Sequence, residues 1–166
     1  MEYDFKELIA GIKNGSYKLL GAGSCRKVYN LNDGYVMKLA KDIRGIYQNK
    51  TENKIYLSRK SNFFAEVIAV SEDNRCLIMQ KADKIRNIDT VCKFYNVKSV
   101  KSLIMLDQLI NDINDNNLSK NDLIRHSSWG FINDVPLIID YGLTHNIYKK
   151  YYGINLFFKR YNQLRY

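Results

Sequence analysis

The chain has 166 residues, 46% hydrophobic and 26% charged, which suits one folded domain or two small lobes sharing a core and excludes a disordered chain. A net charge of +9, from 26 Lys and Arg against 17 Asp and Glu, favours phosphate-bearing partners, though lysines spread along the chain also read as a solvated surface. Three scattered cysteines and two histidines argue against a disulfide framework, a zinc site or a His-rich metal centre, and no apolar run is long enough to span a bilayer.

The opening "MEYDFKELIAGIKNG" is acidic and amphipathic, unlike a signal peptide, so a cytoplasmic, reducing location is expected. Residues 3–13 carry helical periodicity and stop at Asn14-Gly15, a good C-terminal cap. "YKLLGAGSCRKVYNL" and "YVMKLAK" are β-like and joined by "NDG", a hairpin signal. Residues 46–58 turn helical and charged. "FFAEVIAVS" and "RCLIMQK" form a second hairpin around "EDN". Beyond "KADK" the character changes: "NIDTVCKFY" and "VKSVKSLIMLDQLINDIND" read as two helices, the second with apolar residues three and four apart. A polar stretch, "NNLSKNDLIRHSS", leads to a third hairpin, "WGFINDVPLIIDYGL", and then to a basic aromatic tail. The order is α+β. It predicts a single domain over 1–166, with a sheet-rich N-lobe over about 1–81, a hinge over about 80–84 and a reduced helical C-lobe over about 85–166.

Several residues stand out against this pattern. Gly21 and Gly23 lie between two strands, where glycine lets backbone N–H groups approach a phosphate; a plain hairpin explains them equally. Arg26 stands where a third glycine of a GxGxxG run belongs, and no helix follows the loop, so a dinucleotide fingerprint does not fit. Lys38 sits in a strand among Val36, Met37 and Leu39, where it needs an anionic partner unless it faces solvent; Glu52 in the next helix is the candidate. Asp140 ends an apolar run and is followed by Tyr141 and Gly142, a glycine suited to a sharp turn. It either serves a site or caps the helix beginning near Thr144.

The order of these parts (glycine hairpin, strand lysine, helix glutamate, apolar "LIMQKA", acid-aromatic-glycine) resembles the protein kinase-like superfamily. The nearest likeness is to the very small kinase-like proteins of bacteriophages and prophages, through "VYNLNDGYVMKLAK", "GIYQNK" and "IIDYGLT". The resemblance covers roughly residues 19–144. It implies a minimal two-lobed kinase-like fold that holds ATP through Gly21, Gly23, Lys38, Glu52, Met79 and Lys81. Mg2+ would lie on Asp140 and Ser128, and Asp122 would take the catalytic role. The catalytic stretch "KNDLIRHSSWGF" departs from the family: no His-Arg precedes Asp122, and Ser127 or Ser128 replaces the expected Asn. The chain ends about two dozen residues after Gly142, too few for an activation segment and substrate-binding subdomain.

The expectation is therefore a nucleotide-binding pseudokinase or very weak phosphotransferase, acting as a phage-type regulator or inhibitor of a host protein. One alternative is an active ATP/Mg2+-dependent kinase. Another is nucleic-acid binding through the tail, where Lys149, Lys150, Lys159, Arg160 and Arg165 interleave with Tyr148, Tyr151, Tyr152, Phe157, Phe158 and Tyr161. Against the latter, the tail's spacing also fits a helix packing its aromatics on the C-lobe.

Overall fold

The computed structural model describes residues 3–153. Helix α1 (Phe5–Lys13) starts at Asp4, whose side chain accepts from the N–H groups of Lys6 and Glu7, and ends at Asn14. Strands β1 (Leu19–Ala22), β2 (Arg26–Asn30) and β3 (Tyr35–Ala40) follow as a meander. The β2–β3 turn uses Asn32 and Gly34 with positive φ, the conformation that the "NDG" signal implies. Helix α2 (Ile43–Ser58) begins at Asp42, which accepts from the Arg44 and Gly45 N–H groups. Strands β4 (Val67–Val70) and β5 (Cys76–Gln80) complete a five-stranded antiparallel sheet in the order β1-β2-β3-β5-β4.

Both faces of this sheet are covered. Leu31, Met37, Cys76 and Ile78 pack beneath the apolar stripe of α1, including Phe5, Leu8 and Ile12. The alternate residues Val36, Leu77 and Met79 face the other way, into a core shared with α2 and the second half of the chain. That core runs without a break through Ile55, Leu109, Leu123, Trp129 and Tyr141.

A two-residue strand, β6 (Asp83–Lys84), carries the chain out of the sheet. Helices α3 (Ile88–Phe94), α4 (Val100–Leu103), α5 (Asp107–Asp115) and α6 (Lys120–Leu123) precede a 3-10 turn at His126–Ser128. Strands β7 (Trp129–Ile132) and β8 (Val135–Ile138) then pair with β6 in a small sheet of order β6-β7-β8. Asn133 and Asp134, both at positive φ, make its two-residue turn. Helix α7 (His145–Tyr151) is the last described element.

One expectation changes, and one alternative closes. The helix read across "VKSVKSLIMLDQLINDIND" is two helices, α4 and α5, with Ser99 capping the first. Leu103 and Leu109 are both fully buried. Six residues apart on one straight helix they would point about 120° away from each other. The break after Leu103 re-phases the chain so that both reach the core. Thr144, not Asp140, caps α7, its Oγ1 accepting from the Ile147 N–H at 3.3 Å.

The architecture is α+β: a five-stranded antiparallel sheet with one long helix after its third strand, then a mainly helical half that carries a small three-stranded sheet. Among the described residues, no helix is long and apolar enough to cross a membrane.

Candidate functional site

A cleft of about 690 Å3 opens between the sheet and the helical half. Leu20, Val28, Val36, Met79, Leu123 and Ile139 give it apolar walls. Arg26, Lys38, Gln48, Asp122, Ser128 and Asp140 line it as well. Lys84 and Arg125 also line it, giving four cations against two carboxylates.

Strand register explains how the polar group assembles. Val28 lies directly across from Lys38, so both point to one face, and alternation puts Arg26 on that face as well. Opposite them, α2 turns a stripe of Gln48, Asn49 and Glu52 inward, three polar residues at helical spacing, all buried. Strand β8 runs alongside residues 63–65, with the Ala65 N–H donating to the Ile138 carbonyl at 2.9 Å and the Ile138 N–H donating to Phe63 at 2.7 Å. That docking delivers Ile139 and Asp140 to α2.

Glu52 is the hub. It is wholly buried, and both of its carboxylate oxygens accept from Lys38 Nζ at 2.9 Å. Arg26 adds contacts from Nη1 to Oε2 at 2.9 Å and from Nη2 to Oε1 at 3.1 Å. The Tyr141 N–H donates to Oε1 at 3.3 Å. Lys38 also donates to the Ile139 carbonyl at 2.6 Å. Burial first, and then the neighbouring Arg26 guanidinium, lower the lysine's pKa, while Glu52 works to raise it. The network holds two cations and two carboxylates, because Arg26 Nη2 donates in addition to Asp140 Oδ1 at 2.6 Å. Arg26 pays for its own burial through these bonds: burial disfavours its charge, yet Glu52 and Asp140 hold its pKa above the ordinary arginine value. Partial burial pushes the Asp140 carboxyl up, but Arg26 and Lys38 outweigh it and hold the group below its ordinary value. The Asp140 side chain remains 56% exposed and faces the cleft.

Arg26 is the participant that the sequence reading treats only as a missing glycine. The signal was present: a strand residue two before Val28, which faces Lys38, must share its face.

The remaining expected residues fall as follows. Met79 is buried and lines the cleft. Lys81 is exposed and outside the cleft lining; its backbone N–H donates to the Gly34 carbonyl at 2.9 Å. Gly21 and Gly23 line the cleft, but the Gly23 N–H already donates to the Arg26 carbonyl at 2.9 Å and so is not free for a phosphate. Asp122 lines the cleft with Arg125 at 3.7 Å. Ser128 turns its hydroxyl away, donating to the Asp122 carbonyl at 2.7 Å. Gly142 does not supply a left-handed turn. It makes room, since a Cβ there would stand 2.7 Å from the Gln48 carbonyl oxygen on α2. Tyr141, in the place of a phenylalanine, is fully buried against Phe64 and donates its hydroxyl to the Ala65 carbonyl at 2.9 Å.

By themselves these residues supply few ligands for a divalent metal ion, the second oxygen of the half-exposed Asp140 being the main one. One oxygen of Asp140 is held by a guanidinium, Ser128 is committed to backbone, and among the described residues no three His, Cys, Asp or Glu side chains converge.

Helix α7 closes one side of the site. Tyr148 and Tyr152 line the cleft and stack at 5.9 Å, and the Tyr152 hydroxyl lies 3.8 Å from Cys25 Sγ in the glycine loop. Tyr151 packs on Tyr47 of α2 at 5.5 Å. The aromatics of residues 145–153 are thus engaged by packing; the rest of the basic aromatic tail, residues 154–166, lies outside the described residues.

No protein-family model matches the chain, and no curated protein matches it. Among solved structures, that of the streptomycin–ATP–APH(2'')-IIa ternary complex is a distant match. It is 16% identical, with 86% of this chain and 71% of the other covered, at a TM-score of 0.47.

Proposed function

We propose that the protein is a nucleotide-binding pseudokinase that acts as a regulator by engaging a host protein. The observation that carries the nucleotide reading is the buried Lys38–Glu52 pair, at 2.9 Å, in a cleft that also has apolar walls. Apolar walls accept a planar base, and a net-cationic lining suits phosphates. ATP is the nucleotide that the sequence resemblance to kinases favours.

Phosphoryl transfer relies on positioning and charge stabilisation rather than on a reactive side chain. Here Asp122 faces Arg125, and the Ser128 hydroxyl is spent on the Asp122 carbonyl. Neither is arranged to hold an acceptor or a metal, which supports a binding role over turnover. The host-protein role rests on the resemblance to small phage proteins and names no particular partner.

Calorimetric titration of the full chain with ATP, ADP and GTP tests the reading, alongside radiolabelled ATP supplied with a generic basic substrate and cell lysate. Saturable ATP binding without label transfer is expected. Absence of binding at millimolar nucleotide removes the reading. Robust transfer that disappears in Asp122→Asn establishes an active kinase instead.

A further inference from the structure

We infer that α7 is a gate: it is hinged on the helical half, seats its far end on the glycine loop through Tyr152, and lifts that end to admit the nucleotide to the cleft. Its motion needs no ligand, but its role as a gate rests on the nucleotide-binding reading.

The two ends of α7 are held by different kinds of contact. Its start is tied to the helical half by backbone. The Ser119 N–H donates to the Leu143 carbonyl at 3.3 Å, the His145 N–H donates to the Asn117 carbonyl at 3.0 Å, and Thr144 caps the first turn. Ile147 is the one buried side chain of the helix. Beyond it, among the described residues, α7 reaches the sheet half through side chains. Tyr151 packs on Tyr47 of α2 at 5.5 Å, Lys150 Nζ lies 4.7 Å from the same Tyr47 ring, and the Arg44 guanidinium lies 5.5 Å from the Tyr152 ring. The Tyr152 hydroxyl meets Cys25 Sγ at 3.8 Å. A thiol is a weak hydrogen-bonding partner, and cation–π contacts at exposed positions are modest, so the far end is held by the weaker set.

The walls on either side are fixed. The sheet and the helical half share one unbroken core. The Cys25 carbonyl accepts from the Lys41 N–H at 2.8 Å, the Gly23 N–H is held on the Arg26 carbonyl, and α2 presses on the same Cys25 carbonyl at Gly45, where a Cβ would not fit. The far end of α7 is therefore the part that can give way. Its position gives the motion a consequence. Tyr148 and Tyr152 line the cleft together with Gly21, Gly23 and Cys25, so a ligand passing under the glycine loop meets their rings. Cys25 also reports the motion, because it lines the cleft yet is only 4% exposed with Tyr152 against its thiol.

Alkylation of the full chain by iodoacetamide, with Cys25, Cys76 and Cys92 resolved by mass spectrometry, reads the motion without nucleotide. Tyr47→Ala and Lys150→Ala each remove a contact that holds α7 while leaving the Tyr152–Cys25 contact in place. Each is expected to speed alkylation of Cys25 by about fivefold or more, with Cys76 and Cys92 unchanged, as local opening requires. Melting curves check folding, and Lys150→Ala carries the test alone if Tyr47→Ala does not fold. Stopped-flow mixing with a ribose-labelled fluorescent ATP analogue reads the gate. The same variants are expected to associate about fivefold or more faster than wild type, since binding that waits on a conformational change has a depressed association rate.

Unchanged Cys25 alkylation in the variants overturns the hinged motion. So does acceleration of all three thiols together, which is general loosening. Faster Cys25 alkylation with an unchanged association rate overturns the gate and leaves the nucleotide reading standing. No binding of the analogue to the wild type at millimolar concentration overturns the nucleotide reading and the gate with it, and the alkylation rates then decide the motion alone.

Discussion

At the scale of single residues, Glu52 decides whether the site exists. It accepts from Lys38, Arg26 and the Tyr141 N–H with no exposure to water. Glu52→Ala therefore leaves two buried cations without their shared acceptor. Removing one partner of a buried ion pair costs about 3–5 kcal/mol, and denaturant titration of the variant should read a loss of that size. A loss below about 1 kcal/mol would show that water reaches the cations. Asp140 differs because its side chain is half exposed, and its effect is best read through pH. Its folded-state pKa is depressed, so its contribution is complete above the unfolded value of about 4 and is lost as pH falls through the lower folded value. Wild-type stability should fall more steeply than that of Asp140→Asn on acidification below about pH 4; parallel curves would mean that Arg26 does not hold the carboxylate in solution. Lys38, whose pKa is also lowered, has the same sign of slope in a different window: its charging penalty is present below the folded value and is relieved as pH rises toward the ordinary lysine range.

At the scale of elements, the parts read best from sequence are those whose signals are local. The Asn14-Gly15 stop, the turn around Asn32 and Gly34, and the periodicity of α1 each act within a few residues. The strand lysine and helix glutamate were legible because a charge inside an apolar run demands a partner. What escaped depends on distant parts of the chain. The split between α4 and α5 follows from where the core lies relative to Leu103 and Leu109, and β6 exists only because β7 returns to pair with it. Arg26 escaped because a missing glycine was read as a lost feature and not as a side chain with a direction. Gly142 shows the same limit, since its requirement comes from Gln48, nearly a hundred residues earlier in the chain. Gly142→Ala should push the chain after Asp140 away from α2. Overpacking at such a contact costs about 1–3 kcal/mol, and the displacement should weaken nucleotide binding as well. A variant with wild-type melting and affinity would show that α2 yields at no cost.

At the scale of the whole molecule, the two halves share one core, which bears on how the protein unfolds. Val36, Leu77 and Met79 of the sheet and Leu109, Trp129 and Tyr141 of the helical half belong to the same buried cluster. Tyr141 joins them again by packing on Phe64 and hydrogen-bonding to the Ala65 carbonyl. Opening the halves would expose this cluster and strip Glu52 of its contact with the Tyr141 N–H, so partial unfolding at the cleft is costly compared with complete unfolding. The sequence supplies a convenient probe, because the single tryptophan, Trp129, is buried in the helical half with its indole N–H donating to the Leu123 carbonyl at 2.7 Å. Its fluorescence follows that half, while far-ultraviolet circular dichroism follows both. The two urea transitions should coincide, with one midpoint and one slope. Saturating ATP should move both curves together, by about 2.7 kcal/mol at a hundredfold excess over the dissociation constant, since a ligand between the halves stabilises only the state in which both are folded. Separate midpoints would show that the sheet and the helical half fold independently. A nucleotide shift seen by one probe alone would place the ligand on that half rather than in the cleft.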